Sequence, residues 1–327
     1  MKRKLLACLS IGSLLMSAAM CVSFSLNQKE YKVEAYVTSS LPTTIDLNDS
    51  TTAEIQSYYA DLSSLDVNER NGNNLLKNLK PILKNGQKYY SYDSGDTIWR
   101  MYEITDRDWE KSPADEVANG TYNSSTNTIT GYKYKASTGS DVKNPYIHAL
   151  YINRDVENET RAWGNHNQDM WGINREHIWP KSHGFENEAN GGARGDPMHL
   201  WAGNGYSNNI HGNLFYGNVN RSSITTDCGA KYANQKGNYL GLSSTVGSGT
   251  VFEPQDCDKG DIARAVFYMV ARYNYLSGSD TDGISADNPN LELTQESSGP
   301  SKGYMSTTTT TGKLGIISDL LAWNELN

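Results

Sequence analysis

Five of the six histidines of this 327-residue chain lie between positions 166 and 211. They are His166, His177, His183, His199 and His211; the sixth is His148. Random scatter would not concentrate them so. Histidine changes charge near neutral pH and ligates metals. Around them run Asn174-Arg175-Glu176-His177-Ile178-Trp179-Pro180, Gly191-Gly192-Ala193-Arg194-Gly195-Asp196, Met198-His199-Leu200-Trp201 and Asn208-Asn209-Ile210-His211-Gly212-Asn213. Acids, histidines, an arginine and amides packed this densely point to a polar catalytic site centred on 174–219.

The local pattern predicts a small ββα hairpin. Arg175 to Pro180 carries Ile and Trp and stops at Pro, as a strand end does. Pro197 to Ala202 predicts a second short strand. Asn204 to His211 is polar and followed by Gly212, which fits one or two helical turns with a glycine stop. Such a unit aims a strand residue and a helix residue at one point.

Glu-His-Ile-Trp-Pro at 176–180, Asp196-x-x-His199-Leu200, and Asn208-x-x-x-Gly212-Asn213 resemble the bacterial endonuclease I family, whose members are exported nucleases with a His-Me finger (ββα-metal) site. The similarity runs from about Gln87 to the C-terminus, strongest at 174–218 and again from Lys259 to Tyr273. It implies an α+β fold: a mainly helical, loop-rich single domain around that hairpin. It also implies sequence-nonspecific hydrolysis of DNA, RNA or both, led by phosphate contacts rather than base reading.

The implied roles fall on particular residues. His177 is the general base, neutral at working pH, a state that nearby cations favour. Glu176 and Asn208 are the implied ligands of a hard, oxygen-loving cation, Mg²⁺, with Mn²⁺ or Ca²⁺ as substitutes. An ion pair of Glu176 with Arg175 or Arg194 is the competing role, and for Asn208 a helix cap, with Asn209 as the other candidate ligand. Arg194 is the implied clamp on the scissile phosphate, although Ala193 separates it from the glycine pair. Arg175 is a substrate-side cation. Arg264 is either a phosphate contact or a buried ion-pair partner. His199 is expected to orient the site through a backbone carbonyl, and Asn213 to brace the loop. Trp201 and His211 stand where many family members carry Arg; His211 is taken as a substrate-side residue. One geometric tension is visible: consecutive strand residues point to opposite faces, so Glu176 and His177 share a site only where the strand ends.

Composition sets the compartment. A mean hydropathy of -0.63 excludes a polytopic membrane protein. Met1-Lys2-Arg3-Lys4 followed by the apolar run Leu5 to Phe24 predicts a secretory signal, with an uncleaved anchor as the rival. Cys8 and Cys21 lie in that leader, which leaves Cys228 and Cys257 as either a disulfide or two thiols. The net charge of -8 counts against tight nucleic-acid binding but not against a turnover enzyme with a local cationic site.

The expected organisation is a signal peptide at 1–35, a linker at 36–50 and an endonuclease I-like domain at 51–327, acting as a monomer. Helices are expected within 51–86, from a capping box at Thr51 and along Asn74 to Lys84, with Pro81 as a kink. Tyr146 to Ile152 predicts a strand. Asp258 to Leu276 predicts the core helix, capped by Asp258, with Ile262, Val266, Met269 and Tyr273 as its stripe. Residues 277–313 predict a flexible insertion and Leu314 to Leu326 an amphipathic helix. Family members usually continue beyond this last helix, which suggests a C-terminal truncation or a divergent member.

Two other classes compete. A zinc hydrolase on His177, His183, His199 and His211 lacks His-Glu-x-x-His and any intervening cysteine. A secreted aromatic-rich binding module, or an inactive nuclease homologue, would use the 21 Tyr and 7 Trp for stacking.

Overall fold

A computed structural model describes residues 72–85, 87, 89–90, 92, 97–106, 116–118, 121–123, 128–130, 133–135, 146–157, 172–185, 192–231, 237–275, 289–297 and 311–326. The expected leader, linker and first helix at 51–62 lie outside these residues, as does His166.

In chain order the elements are α1 (Gly72–Lys84), β1 (Tyr89–Tyr90), α2 (Thr97–Thr105), β2 (Glu116–Ala118), β3 (Thr121–Asn123), β4 (Thr128–Thr130), β5 (Lys133–Lys135), β6 (Tyr146–Ala149) and β7 (Arg154–Glu157). Then come β8 (Ile173–His177), β9 (Leu200–Asn204), α3 (Gly205–His211), β10 (Phe215–Tyr216), β11 (Thr226–Asp227), β12 (Tyr239–Leu242), β13 (Thr250–Glu253), α4 (Asp256–Tyr273), β14 (Asn290–Leu293), β15 (Thr311–Leu314) and α5 (Ile317–Asn324). The fold is α+β, and among the described residues its short strands are as prominent as its helices.

The hairpin sits between two cores. β8 and β9 pair antiparallel, with Glu176 opposite Trp201 and His177 opposite Leu200. β9 continues onto the end of β6: Leu150 N–H donates to the Ala202 carbonyl at 2.9 Å, and Asn204 N–H to the Leu150 carbonyl at 3.0 Å. β9 is therefore buried along its whole length. Leu200 and Ala202 join Ile173, Ile147, Tyr92 and the α2 residues Trp99, Met101 and Tyr102 in a smaller core. Trp201 faces the other way, into the larger core of Ile178, Trp179, Tyr151, Tyr216 and α4. Strand alternation thus sends one face of the hairpin into each core.

α4 is the spine of the larger core. All its residues from Asp258 to Tyr273 are buried, including the predicted stripe. Its start differs from expectation in two ways. The helix begins at Asp256, and its N-cap is Gln255. Asp258 lies inside the first turn, where its carboxylate accepts from Tyr151 N–H (2.8 Å) and the Gln255 side chain (2.9 Å). A tertiary bond has taken the acid that local reasoning assigned to the cap.

Two further expectations change, and the open cysteine alternative falls to the two thiols. β8 ends at His177, three residues before Pro180, and β9 begins at Leu200, because Pro197–His199 form a turn. The insertion at 277–313 is ordered at its described edges, where β14 and β15 pair in parallel. Cys228 is a buried thiol and Cys257 an exposed one, rather than a disulfide. No helix among the described residues is long and apolar enough to cross a membrane.

Candidate active site

α3 is positioned by its own caps. The Asn204 side chain accepts from Ser207 N–H at 3.0 Å, and Gly212 closes the other end at φ 57°. This places Asn208 against β8: its Nδ2 donates to Asn174 Oδ1 at 2.5 Å. Gly203 leaves the room for this. A Cβ there would lie 2.7 Å from Glu176 Cβ and 3.9 Å from Asn208 Nδ2. Glu176 and Asn208 therefore flank one small space, on the face of β8 turned to the larger core.

The Glu176 carboxylate is 3% exposed as a residue and tightly held. Tyr151 O–H donates to its Oε1 at 2.5 Å, and His211 Nδ1 approaches the same oxygen at 2.9 Å. Tyr216 O–H then donates to the Tyr151 oxygen at 2.9 Å. Burial, and then the Glu176 charge, push the Tyr151 phenol well above its ordinary value, so it stays a donor. Both bonds fall on Oε1, which leaves the lone pairs of Oε2. Asn208 spends its N–H₂ on Asn174 Oδ1 and the Arg175 carbonyl, which leaves its amide oxygen. One carboxylate oxygen and one amide oxygen suit a hard cation that keeps most of its waters.

Tyr151 reaches Glu176 from an uncommon backbone state, φ 74°. Left-handed geometry costs a non-glycine residue about 1–2 kcal/mol. Its amide is held by Asp258 and its carbonyl by the Asn238 side chain. The core helix therefore sets the Glu176 carboxylate through one strained tyrosine.

His211 requires a correction. It is fully buried, stacked on Tyr216 at 4.6 Å between ring centroids, with Nδ1 on Glu176 and Nε2 on the Leu214 carbonyl at 3.0 Å. It orients the carboxylate and presents no surface to a substrate.

The other face of β8 carries His177 and Arg175. His177 Nε2–H donates to the Arg194 carbonyl at 2.9 Å, which fixes the tautomer and puts the lone pair on Nδ1. The ring packs near Tyr92 (4.9 Å), His199 (5.3 Å) and Phe185 (6.1 Å). Burial first, then His199, Lys181 and Arg175, hold His177 well below the ordinary histidine range; its bond to the Arg194 carbonyl opposes them only in part. The imidazole is therefore neutral at neutral pH.

Arg194 sits on the 3-10 turn Gly192–Gly195, with its guanidinium 4.5 Å from the Tyr92 ring. Gly195 is required there: a Cβ would come 2.0 Å from the Tyr90 carbonyl oxygen. The turn is anchored by Asp196, fully buried. Its Oδ2 accepts from Gln87 (2.6 Å), Tyr268 (2.8 Å) and Tyr273 (2.7 Å), and its Oδ1 from Met198 N–H (3.0 Å). His199 Nε2–H donates to the Ala193 carbonyl at 2.6 Å, the orienting geometry expected of it. Asn213 braces through its main chain, whose carbonyl accepts from His183 Nε2 at 2.8 Å. Arg264 is ion-paired with Asp261, one turn earlier on α4, the structural one of its two possible roles.

All four histidines of a zinc reading thus place Nε2 on a main-chain carbonyl, of Arg194, Asn213, Ala193 and Leu214. Among the described residues no three His, Cys, Asp or Glu side chains gather as metal ligands. Sequence reasoning misses Tyr92 and Tyr151; neither carries a local motif.

A buried carboxylate beside an amide on one face of a strand end, and a neutral histidine with arginines nearby on the other, define a polar site. Comparison with known proteins narrows the class. The profile of the endonuclease I family matches residues 71–286, and the chain belongs to that family. It is 34% identical over 167 residues to the extracellular ribonuclease of Bacillus amyloliquefaciens, covering 51% of this chain and 46% of that one. It is 32% identical over 189 residues to the extracellular ribonuclease of Bacillus subtilis (strain 168), covering 58% and 52%. The chain spans about half the length of these curated relatives. No solved structure matches.

Proposed function

We propose that this chain is an exported, sequence-nonspecific endonuclease that hydrolyses phosphodiester bonds, with β8, β9 and α3 as a His-Me finger. The observation that carries the reading is His177: one ring nitrogen tied to the Arg194 carbonyl, the other bearing a lone pair, beside Arg175 and Arg194. RNA is the first substrate to test, because the two relatives are named extracellular ribonucleases. DNA is the second. Those names and the apolar leader also support export. The protein acts as a monomer, without stable membrane association once the leader is removed.

In this reading His177 Nδ1 takes the proton from the attacking water. Arg194 meets the phosphate oxygens with its forked guanidinium, and Arg175 adds a second positive charge. Glu176 and Asn208 would hold a divalent cation, Mg²⁺ by the hardness of their oxygens. Such an ion supplies charge stabilisation at the phosphate and the leaving oxygen. Tyr151 and His211 keep the carboxylate oriented for it.

The test is cleavage of structureless RNA and of supercoiled plasmid, with Mg²⁺ and with EDTA, beside His177→Ala. Metal-dependent cleavage lost in the variant is expected, and relative rates name the substrate. A folded wild-type protein that cuts neither substrate sinks the reading and favours the inactive homologue.

A further inference from the structure

The ring of Tyr92 is a point of convergence. The Arg175 guanidinium lies 4.0 Å from its centroid, that of Arg194 4.5 Å, and the Lys181 ammonium 4.9 Å. Arg175 also donates to the Tyr92 main-chain carbonyl at 2.7 Å. The His177 ring is 4.9 Å away on the same side chain. These residues come from three separate segments: the strand end, the 3-10 turn Lys181–His183 and the turn Gly192–Gly195. Tyr92 itself is buried, in the smaller core.

Three like charges around one ring repel each other. The negative face of the ring and the Tyr92 carbonyl favour cations at this spot. Cations gathered next to a neutral base on a chain of net charge -8 are a local field for an anion.

Resting on the nuclease reading, we propose that Tyr92 is a positioning residue that gathers Arg175, Lys181 and Arg194 into a cradle for consecutive phosphates of a single strand, and that Lys181 is one of the phosphate contacts. The ring sets where the cations stand. The cations meet the strand, which lays its scissile phosphate against His177. Selection is for a flexible polyphosphate chain and not for a base.

The test reads binding and not turnover. A fluorescent, structureless single-stranded DNA oligonucleotide is titrated with the full chain in EDTA, by anisotropy, across a series of NaCl concentrations. On a single strand each phosphate contact contributes about 0.7 to the slope of log K against log salt. Lys181→Ala is expected to lower the slope by about 0.7. Tyr92→Leu keeps the carbonyl but removes the ring; it is expected to lower the slope by more than Lys181→Ala and the affinity by roughly tenfold. Tyr92→Phe keeps the ring and is expected to match the wild type. Should Tyr92→Leu not fold, Lys181→Ala and Tyr92→Phe still decide. Slopes unchanged in Lys181→Ala overturn the cradle, as does Tyr92→Leu that loses affinity at an unchanged slope, or a wild type with no salt dependence. The cleavage assay fails separately: expected slopes without cleavage sink the enzyme and leave an anion site, and cleavage without slope changes sinks the cradle alone.

Discussion

The two faces of strand β8 have opposite chemistry one residue apart. On one face Glu176 is closed in by Tyr151, Tyr216 and His211, all buried in the larger core. On the other His177 is neutral, bonded to a carbonyl and surrounded by cations around Tyr92. Strand alternation does the sorting. A carboxylate and a base that sat side by side in one polar pocket would shift each other's charge state. Placed across a strand, each is set by its own neighbours, and both lie at the strand's end, where β8 stops at His177.

If the faces are independent, they separate under mutation. His177→Ala is expected to cost the most activity, about 10²–10⁴ in kcat, the range of a lost general base. Its melting temperature should respond to Mg²⁺ as the wild type's does, because Glu176 is untouched. A variant that no longer responds to Mg²⁺ would show the faces coupled.

Tyr151→Phe attacks the other face. It removes one donor from the carboxylate and strands the Tyr216 hydroxyl. The Mg²⁺ concentration for half-maximal activity is expected to rise about 10–100-fold, as for a lost bond behind a metal ligand. kcat at saturating Mg²⁺ should stay close to wild type. A lowered kcat at an unchanged Mg²⁺ requirement would place Tyr151 in the chemistry of the His177 face.

Asp196→Asn tests the anchor of the Arg194 turn. The amide keeps the shape and loses the charge that three donors share. Charge-assisted bonds to a buried group contribute about 1.5–3 kcal/mol each way, so chemical denaturation should show a loss on that scale. KM should rise with it, since Arg194 and the carbonyl that holds His177 ride on the same turn. Full stability in the variant would make this buried carboxylate dispensable.

The sequence is most informative about this site where a motif is local. The hairpin, the Asn204-capped helix and the α4 stripe follow from residues that are neighbours in the chain. What it misses is tertiary. The histidine cluster suggests one catalytic site, yet besides the expected His199 three more rings, those of His177, His183 and His211, bond main-chain carbonyls, because a buried imidazole N–H is a convenient donor for loop backbone that no strand pairs. His211 looks like a substrate-side residue until burial shows it behind Glu176. Tyr92 and Tyr151 come from segments distant in sequence and carry no spacing signal. Asp258 shows the same limit, an apparent cap that is used to hold Tyr151 instead.

The smallest expected effect concerns the charge state of the rings behind the hairpin. His199 and His183 are both lowered from 6.5, by burial first; Asp196 and the Ala193 carbonyl oppose the change at His199, and the Asn213 carbonyl opposes it at His183. Above pH 6.5 each ring is neutral in the folded and unfolded chain alike, so neither makes stability depend on pH. Below that value the unfolded chain takes up a proton that the folded ring refuses. Unfolding then gains protons, and stability falls with pH from about 6.5 down to the lowered folded values, then levels. Each tenfold difference in proton affinity between the folded and unfolded ring corresponds to about 1.4 kcal/mol. Denaturation in EDTA at pH 8, 7, 6 and 5.5 should show that decline, and His199→Gln should flatten it by one ring's share while its amide keeps a donor for the Ala193 carbonyl. An equally steep decline in the variant would mean that His199 is charged in the folded protein. Because its ring lies 5.3 Å from His177, that charge would stand against the base, and the His177 face would lose the neutrality that sets it apart from the Glu176 face.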